Sequence, residues 1–416
     1  MLSSLLRSVR LHARDQVQPL AGDWPAVTLF LSLSDTETRA HVLHASGTGF
    51  DSVWVELARQ AQTLVAREKL ALRWLRLDWV TDVKRSSVQE FKTSLRLVKR
   101  NYFRYGLALD SGFDVAFLEG ELNGNAMLYG GSAIAHAVLN EKNFSRYAQS
   151  RFKGFEPDFS DTAPLWLLET SGLFCAAGGE PQQLHGCGPD AGRRVIGELD
   201  VATVTTLIED GSRYLATQVK SDGKFHYGWH PCFDRQINAY NTLRHASTLY
   251  AMLEAWEVTR DAGLEAAIRR GLDYLTTKLI KTLELPDGSQ AAFLVDVGNE
   301  IKLGGNAVCL LALCEHAELF PHEAQLDLLA KLALGIAYMQ DSESGAFVHV
   351  LNYPDLSVKE AFRVIYYDGE AAFGLMRLYG LSQDERWLAL VENAFRHFIA
   401  EQHWKTHDHW LGYCVN

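Results

Sequence analysis

The chain has 416 residues, 47% of them apolar and 22% charged, with a formal net charge of -11. That length suits two folding units, because single cores stop growing at roughly 250 to 300 residues, and the ordinary composition excludes a long disordered or collagen-like region. The acidic balance argues against nucleic acid as a partner, since a protein that neutralises phosphates carries a basic excess.

Taken in chain order, MLSSLLRSVRLHARDQ is basic and lacks acids until Asp15. Neither it nor any later stretch approaches the roughly 20 consecutive apolar residues of a bilayer span. The expectation is a cytoplasmic protein without a membrane span, with a short targeting presequence as the alternative. The six cysteines, Cys175, Cys187, Cys232, Cys309, Cys314 and Cys414, form no CxxC pair and read as reduced thiols.

VTLFLSLS, RAHVLHASG and LRWLRLDWV are short, partly alternating runs rich in β-formers, and DSVWVELARQAQTLVAREK between them has helical spacing. RYGLALDSGFDVAFLEGELNGNAML follows as a strand or hairpin leading into a helix. Residues 1–140 are therefore expected to form a small α+β domain. Its Glu119, Glu121, Asn123 and Asn125 are adequately explained by packing and turns. Residues 141–199 carry many Gly, Pro and polar residues and read as a connecting region, with WLLETSGLFC inside it as a strand belonging to the first domain.

Residues 200–416 are repetitive. ATVTTLIEDGSRYLATQV, INAYNTLRHASTLYAMLEAWEVTR, LEAAIRRGLDYLTTKLIKTL, GNAVCLLALCEHAEL, AQLDLLAKLALGIAYMQ, GEAAFGLMRLYGL and ERWLALVENAFRHFIAEQH each place apolar residues three and four apart. One set is longer and more charged; the other is rich in Ala, Gly and Leu and opens on Asn241, Asn306 or Glu370. Those starts lie 65 and 64 residues apart, each after a loop with a turn signal. One helix pair and one loop per period describe a helical array in which the small-residue helices are buried and the loops meet at one end.

An outer helix, a loop with DG and aromatic residues, and an inner helix opening on YNTLRHA, GGNAVCL or DGEAAFG together resemble the α/α toroids. These include the six-hairpin glycosidases, the polysaccharide lyases, the glucuronyl C5-epimerase catalytic domain and the terpenoid-cyclase type. The resemblance implies a mainly α protein: an α/α-hairpin toroid, complete or partial, holding the main cavity, preceded by the small α+β domain. It also implies a carbohydrate-active enzyme working by acid–base chemistry without a cofactor, as a glycoside hydrolase first and a lyase or C5-epimerase next.

The densest polar segment is SDGKFHYGWHPCFDRQINAYNTLRH. So many titratable and aromatic groups are costly to bury without partners, so the segment should line a wet cavity. Asp222, Asp234, Tyr240 and His245 are its candidate catalytic groups, and His226, Tyr227, Trp229, Arg235, Asn241 and Arg244 its candidate substrate ligands. The bland alternative makes Asp222-Gly223 a turn and gives Arg244 and His245 structural hydrogen bonds. In YYDGE, Asp368 and Glu370 are candidate catalytic carboxylates with Tyr367 beside them, a pair of acids being what glycoside hydrolysis requires; the alternative is a helix cap and a first-turn acid favoured by the helix dipole.

Lys302 and Asn306 open another inner helix. With Arg235, Arg244 and Arg363, Lys302 suggests an oligosaccharide or other anionic polymer as partner, unless Asp234, Glu300 and Glu360 pair with these bases. At the carboxyl end HWKTHDHWLGYC offers His407 and Trp410 to the cavity mouth. His403, His407, Asp408 and His409 match no closed zinc spacing, and no metal is expected. No GxGxxG after a strand, GxxxxGK[ST], GxSxG or HExxH occurs. The alternative in another class is a non-catalytic binding or assembly protein of a polymer-biosynthesis system, or an enzyme acting on an acidic peptide polymer.

Overall fold

A computed structural model describes residues 1–230 and 235–416. Asp234 and Cys232 lie outside the described residues. The chain divides into two compact units, Met1–Glu198 with Trp229–Arg235, and Leu199–Gly228 with Gln236–Asn416. Thirteen α-helices occur among the described residues, so the chain is mainly helical with substantial sheet. None of those helices is long and apolar enough to cross a membrane.

The first unit opens with α1 (Leu2–Ala13), followed by β1 (Val27–Ser34), β2 (His41–Gly47), α2 (Phe50–Glu68), β3 (Trp74–Ser87) and α3 (Val88–Leu95). A short hairpin, β4 (Gly106–Ala108) and β5 (Ala116–Phe117), leads into α4 (Glu119–Gly124) and α5 (Glu141–Arg151); β6 (Pro164–Ala176) and β7 (Gln182–Leu184) complete the unit. The sheet order is β2-β1-β3-β6-β4-β5, with β7 also on β6. Period-two alternation sorts the side chains: Leu29, Leu31, Leu33, Leu75 and Leu77 enter one core with α1 and α2, while Phe30 and Val80 enter another. The 141–199 stretch expected to be a connection is instead integral to this unit. Its β6 pairs with β3 over most of its length, and Phe144 and Ala148 of α5 are buried in a third core. Gly and Pro mark the turns around β6 and hide a long buried strand from a composition argument.

In the second unit α6 (Val201–Gln218) precedes α7 (Thr242–Thr259) and α8 (Ala262–Tyr274); the two-residue strands β8 (Trp229–His230) and β9 (Arg235–Gln236) come between α6 and α7 in the chain, with Trp229–Arg235 grouped in the first unit. Then come β10 (Ile280–Glu284), β11 (Gln290–Asp296), β12 (Glu300–Lys302), α9 (Leu303–Leu319), α10 (Leu326–Tyr338), β13 (Val350–Asn352), β14 (Val358–Glu360), α11 (Tyr367–Ser382), α12 (Glu385–Ala400) and α13 (His409–Val415). The small-residue helix α9 packs between α7 and α11, and each of the three packs on the helix after it, giving three α/α hairpins. Every residue of α9 from Leu303 to Glu315 is buried, as expected of a helix that is apolar all round.

Two stretches differ from expectation. The helix read through Leu283 ends as an α-helix at Tyr274, passes through a π turn over Leu275–Leu279, and becomes β10. Thr276 and Thr277 turn their hydroxyls back onto the Leu272 and Asp273 carbonyls there. The segments read as loops before α9 and α11 form one antiparallel sheet, β10-β11-β12-β13-β14. Its β12 runs directly into α9, so the sheet sets where that helix begins.

Candidate active site at the start of helix α11

The inner helices of the second unit begin close together. A Cβ on Gly304, at the start of α9, would overlap Glu370 Oε2 and the Tyr367 ring at the start of α11. A Cβ on Gly305 would touch Leu243 of α7. Glycine in GGNAVCL thus allows the α9 backbone to approach the two α11 side chains.

Glu370 is buried, and its Oε2 has no hydrogen-bond partner among the described residues. Burial, and then the Asp408 carboxylate nearby, push its pKa up to about 8 from the usual 4.5. A carboxylic acid protonated at neutral pH is a proton donor in waiting. Asp368, also buried, lies one residue beyond Tyr367, with the Nε2 of His349 3.3 Å from its Oδ2. His349 Nδ1 accepts the backbone N–H groups of Arg363 at 3.0 Å and Val364 at 3.3 Å, which leaves the ring proton on Nε2, facing Asp368. His403 Nε2 is 3.8 Å from the same Asp368 oxygen and 4.0 Å from Asp408 Oδ2.

Asp408 joins the carboxyl end to this site. Its Oδ1 accepts the Trp410 N–H, capping α13, and its Oδ2 accepts the Gly369 N–H at 3.1 Å in the first turn of α11. A Cβ at position 369 would strike that oxygen, so the Gly of DGE is required by the approach of Asp408. Burial raises the Asp408 carboxyl as well. Exposed aromatic side chains accompany the group: Phe362 lies 4.6 Å from the His349 ring, and Tyr366 packs edge-on to His409. Two carboxylates, a high-pKa acid and two imidazoles in one cluster are groups that can deliver and accept protons.

Of the residues singled out from sequence, Tyr367, Asp368 and Glu370 belong to this cluster, and Trp410 packs beside it against Phe373. His407 is exposed, in left-handed conformation between a short 3-10 turn and α13. His349, His403 and Asp408 were not among the candidate catalytic or substrate-binding residues. His349 sits in FVHVL, inside a segment read as a loop, and HWKTHDHW drew attention as a metal pattern and for His407 and Trp410 at the cavity mouth.

The other candidates have structural employment. Asp222 is exposed and caps the Lys224 N–H in a turn, where Gly223 has φ +85° and no room for a Cβ against Arg270. Tyr240 and His245 do meet: the Tyr240 hydroxyl accepts the Phe225 N–H and donates to His245 Nδ1 at 2.7 Å, while Nε2 donates to the Gly271 carbonyl at 3.0 Å. Both imidazole nitrogens are thereby occupied. Burial pushes Tyr240 up to about 12 and His245 down to about 4, so the pair is neutral and anchors α7 to α8. Asn241 caps α7 through the Arg244 N–H, and the Arg244 side chain is exposed.

Asn306 accepts the Leu294 N–H and donates to the Lys302 carbonyl, fastening β11 to α9. Lys302 pairs with Asp296 at 2.6 Å and Glu300 at 3.3 Å; Arg363 grips Glu300 and Glu360. These two bases are therefore neutralised within the fold, as the alternative had it, rather than offered to an anion. His226 bonds Gln236, Tyr227 is partly exposed beside Tyr240, and Trp229 and Arg235 group with the first unit.

No protein-family model matches the sequence, and no curated protein matches it. Solved structures similar to part of the chain include a D-mannose isomerase, at 15% identity and TM-score 0.39, over 50% of this chain and 54% of that one. Others are the cellobiose 2-epimerase from Bacillus thermoamylovorans, at 13% and 0.41 over 48% and 55%, and a glycoside hydrolase family 76 mannosidase from Bacteroides thetaiotaomicron, at 15% and 0.37 over 50% and 55%. The chain spans about half the length of each. By name all three are sugar-processing enzymes, and at this distance nothing of their chemistry is carried across.

Proposed function

We propose that the second unit is a partial α/α toroid and the catalytic part of a carbohydrate-active enzyme that acts on a poly- or oligosaccharide by acid–base chemistry. The observation that carries this reading is Glu370: a buried carboxyl whose Oε2 has no hydrogen-bond partner among the described residues and whose pKa is raised to about 8 beside the Asp408 carboxyl. In glycoside hydrolysis Glu370 gives its proton to the leaving oxygen, and Asp368, oriented against His349, takes a proton from the attacking water. The exposed faces of Phe362 and Tyr366 receive the C–H side of a sugar ring. With Lys302 and Arg363 engaged in ion pairs, a neutral saccharide fits this site as well as an anionic one. The buried free thiols of Cys175, Cys309 and Cys314 suit a reducing compartment such as the cytoplasm.

A second reading, proton transfer at a sugar carbon as in epimerisation or elimination, is favoured by His349 and His403 converging on one Asp368 oxygen. The test is product analysis on neutral and uronate oligosaccharides, scoring new reducing ends, unsaturated products and solvent deuterium incorporated at carbon. Hydrolysis gives the first alone, elimination the first two together, and epimerisation the third alone. Glu370→Gln should lower turnover at least about 100-fold in the hydrolytic case, the usual worth of a general acid. Saccharide binding without any product, in wild type as in Glu370→Gln, would instead make this a binding protein.

A further inference from the structure

The first unit contains a cavity of about 580 Å³ whose composition runs against that of the chain. Its thirteen lining residues include three arginines and two histidines and no carboxylate, in a protein of net charge -11. The volume lies within the roughly 300 to 1,000 Å³ of small-molecule sites. Arg151, at the end of α5, is one-tenth exposed, and its Nε donates to Glu121 Oε1 at 2.6 Å. The same Glu121 oxygen accepts the Tyr147 hydroxyl at 2.7 Å, and the other accepts the Leu118 N–H at 2.8 Å, so Glu121 is fully engaged in holding Arg151 and Tyr147 in place. Arg151 Nη2 is buried and has no acceptor among the described residues. A buried guanidinium N–H without an acceptor is destabilising.

Arg39 lies over the Tyr147 ring, 5.3 Å from its centre, and brings a second guanidinium to the same wall. His44 adds a hydrogen-bond acceptor. Its Nε2 donates to the Phe113 and Asp114 carbonyls, so Nδ1 carries no proton; burial, and then the charge of Arg151, lower its pKa to about 4 and keep it neutral. Leu43, Leu64 and Phe152 supply apolar wall.

We infer that this cavity binds a sugar-sized organic anion, its carboxylate or phosphate group held by Arg151 and Arg39 and a hydroxyl donated to His44. Guanidinium forks match both oxyanions, so sugar acids and sugar phosphates share the chemistry. The inference is independent of the α11 cluster.

Calorimetric titration of the full-length protein at low salt, with glucuronate, glucose 6-phosphate and neutral glucose, tests it. One site per chain is expected for at least one anion, weakening as salt is raised, with glucose not bound. Whichever anion binds identifies the source of the oxyanion. Arg39→Gln should weaken binding about tenfold. Ser150→Glu, which places a carboxylate on the lining without touching the Glu121–Arg151 pair, should abolish it with the thermal melt unchanged, while Glu370→Gln should bind as wild type. Absence of binding for both anions, equal binding of glucose, or affinity unchanged in both cavity variants would overturn the inference; loss of anion binding in Glu370→Gln would move the site to the second unit and overturn it too.

Discussion

Glu370 has a thermodynamic signature that separates a poised acid from a helix-dipole ornament. A first-turn glutamate exposed at a helix start is stabilised as the anion; this one is driven the other way, up to about 8, by burial and by Asp408. Because the folded chain then holds a proton that the unfolded chain releases near 4.5, stability should be fullest below that value and fall as pH rises to about 8, by at most about 4 kcal/mol. Glu370→Gln should flatten this decline, read as urea midpoints at pH 5 and pH 8. Equal slopes in wild type and variant would mean that Glu370 is ionised throughout. The glycines beside it have equally specific roles. Gly304→Ala should destabilise by about 1 to 3 kcal/mol, because the added methyl must displace the Glu370 carboxyl and the Tyr367 ring in a packed interior, and it should lower turnover together with stability. Asp368 and Glu370 were legible in the sequence as acids at a helix start. What makes Glu370 an acid of this kind was not: Gly304 and Asp408 reach it from distant segments, and His349 lies in a segment that reads as a loop.

At the level of elements, the helical period of the second half was readable because small residues on α7, α9 and α11 recur with the hairpins that bury them. The intervening segments were not, because strands of three residues such as β12 and β13 are too short to show a period and are defined only by pairing with each other. The same contrast explains the first unit, where β1 and β3 alternate clearly and β6 was partly submerged in a Gly- and Pro-rich stretch. Asn306 is the joint between the two kinds of element. Its side chain is wholly buried, with its oxygen on the Leu294 N–H of β11 and its nitrogen on the Lys302 carbonyl before α9. Asn306→Ala removes both bonds and leaves a buried N–H and C=O unmet, so a loss of about 2 to 4 kcal/mol in unfolding free energy is expected. Asn306→Asp keeps the acceptor and loses the donor, and should fall between. A loss below about 0.5 kcal/mol in the Ala variant would show that the sheet holds α9 without this residue.

For the whole molecule, the two units carry different titrating groups, and this gives each its own pH response. His44 in the first unit and His245 in the second are both buried and held down at about 4 from the usual 6.5. Each must remain neutral in the folded chain while the unfolded chain takes up a proton, so both units should lose stability as pH falls from about 6.5 to 4. Glu370 adds to the second unit a loss of stability as pH rises from about 4.5 to 8, and the buried Glu121, its carboxyl also raised, gives the first unit a loss in the same direction. In each unit the acid-side and alkaline-side slopes therefore oppose each other. Hydrogen exchange followed by mass spectrometry resolves this, since peptides from β3 and β6 report the first core and peptides from α9 and α11 the second. Corrected for intrinsic exchange rates, protection in α9 and α11 should decline from pH 6.5 to 8 in wild type and decline less in Glu370→Gln, whereas protection in β3 and β6 should follow the same course in both proteins. An equal decline of the α9 and α11 peptides in wild type and Glu370→Gln would show that the alkaline loss does not come from the acid at the start of α11.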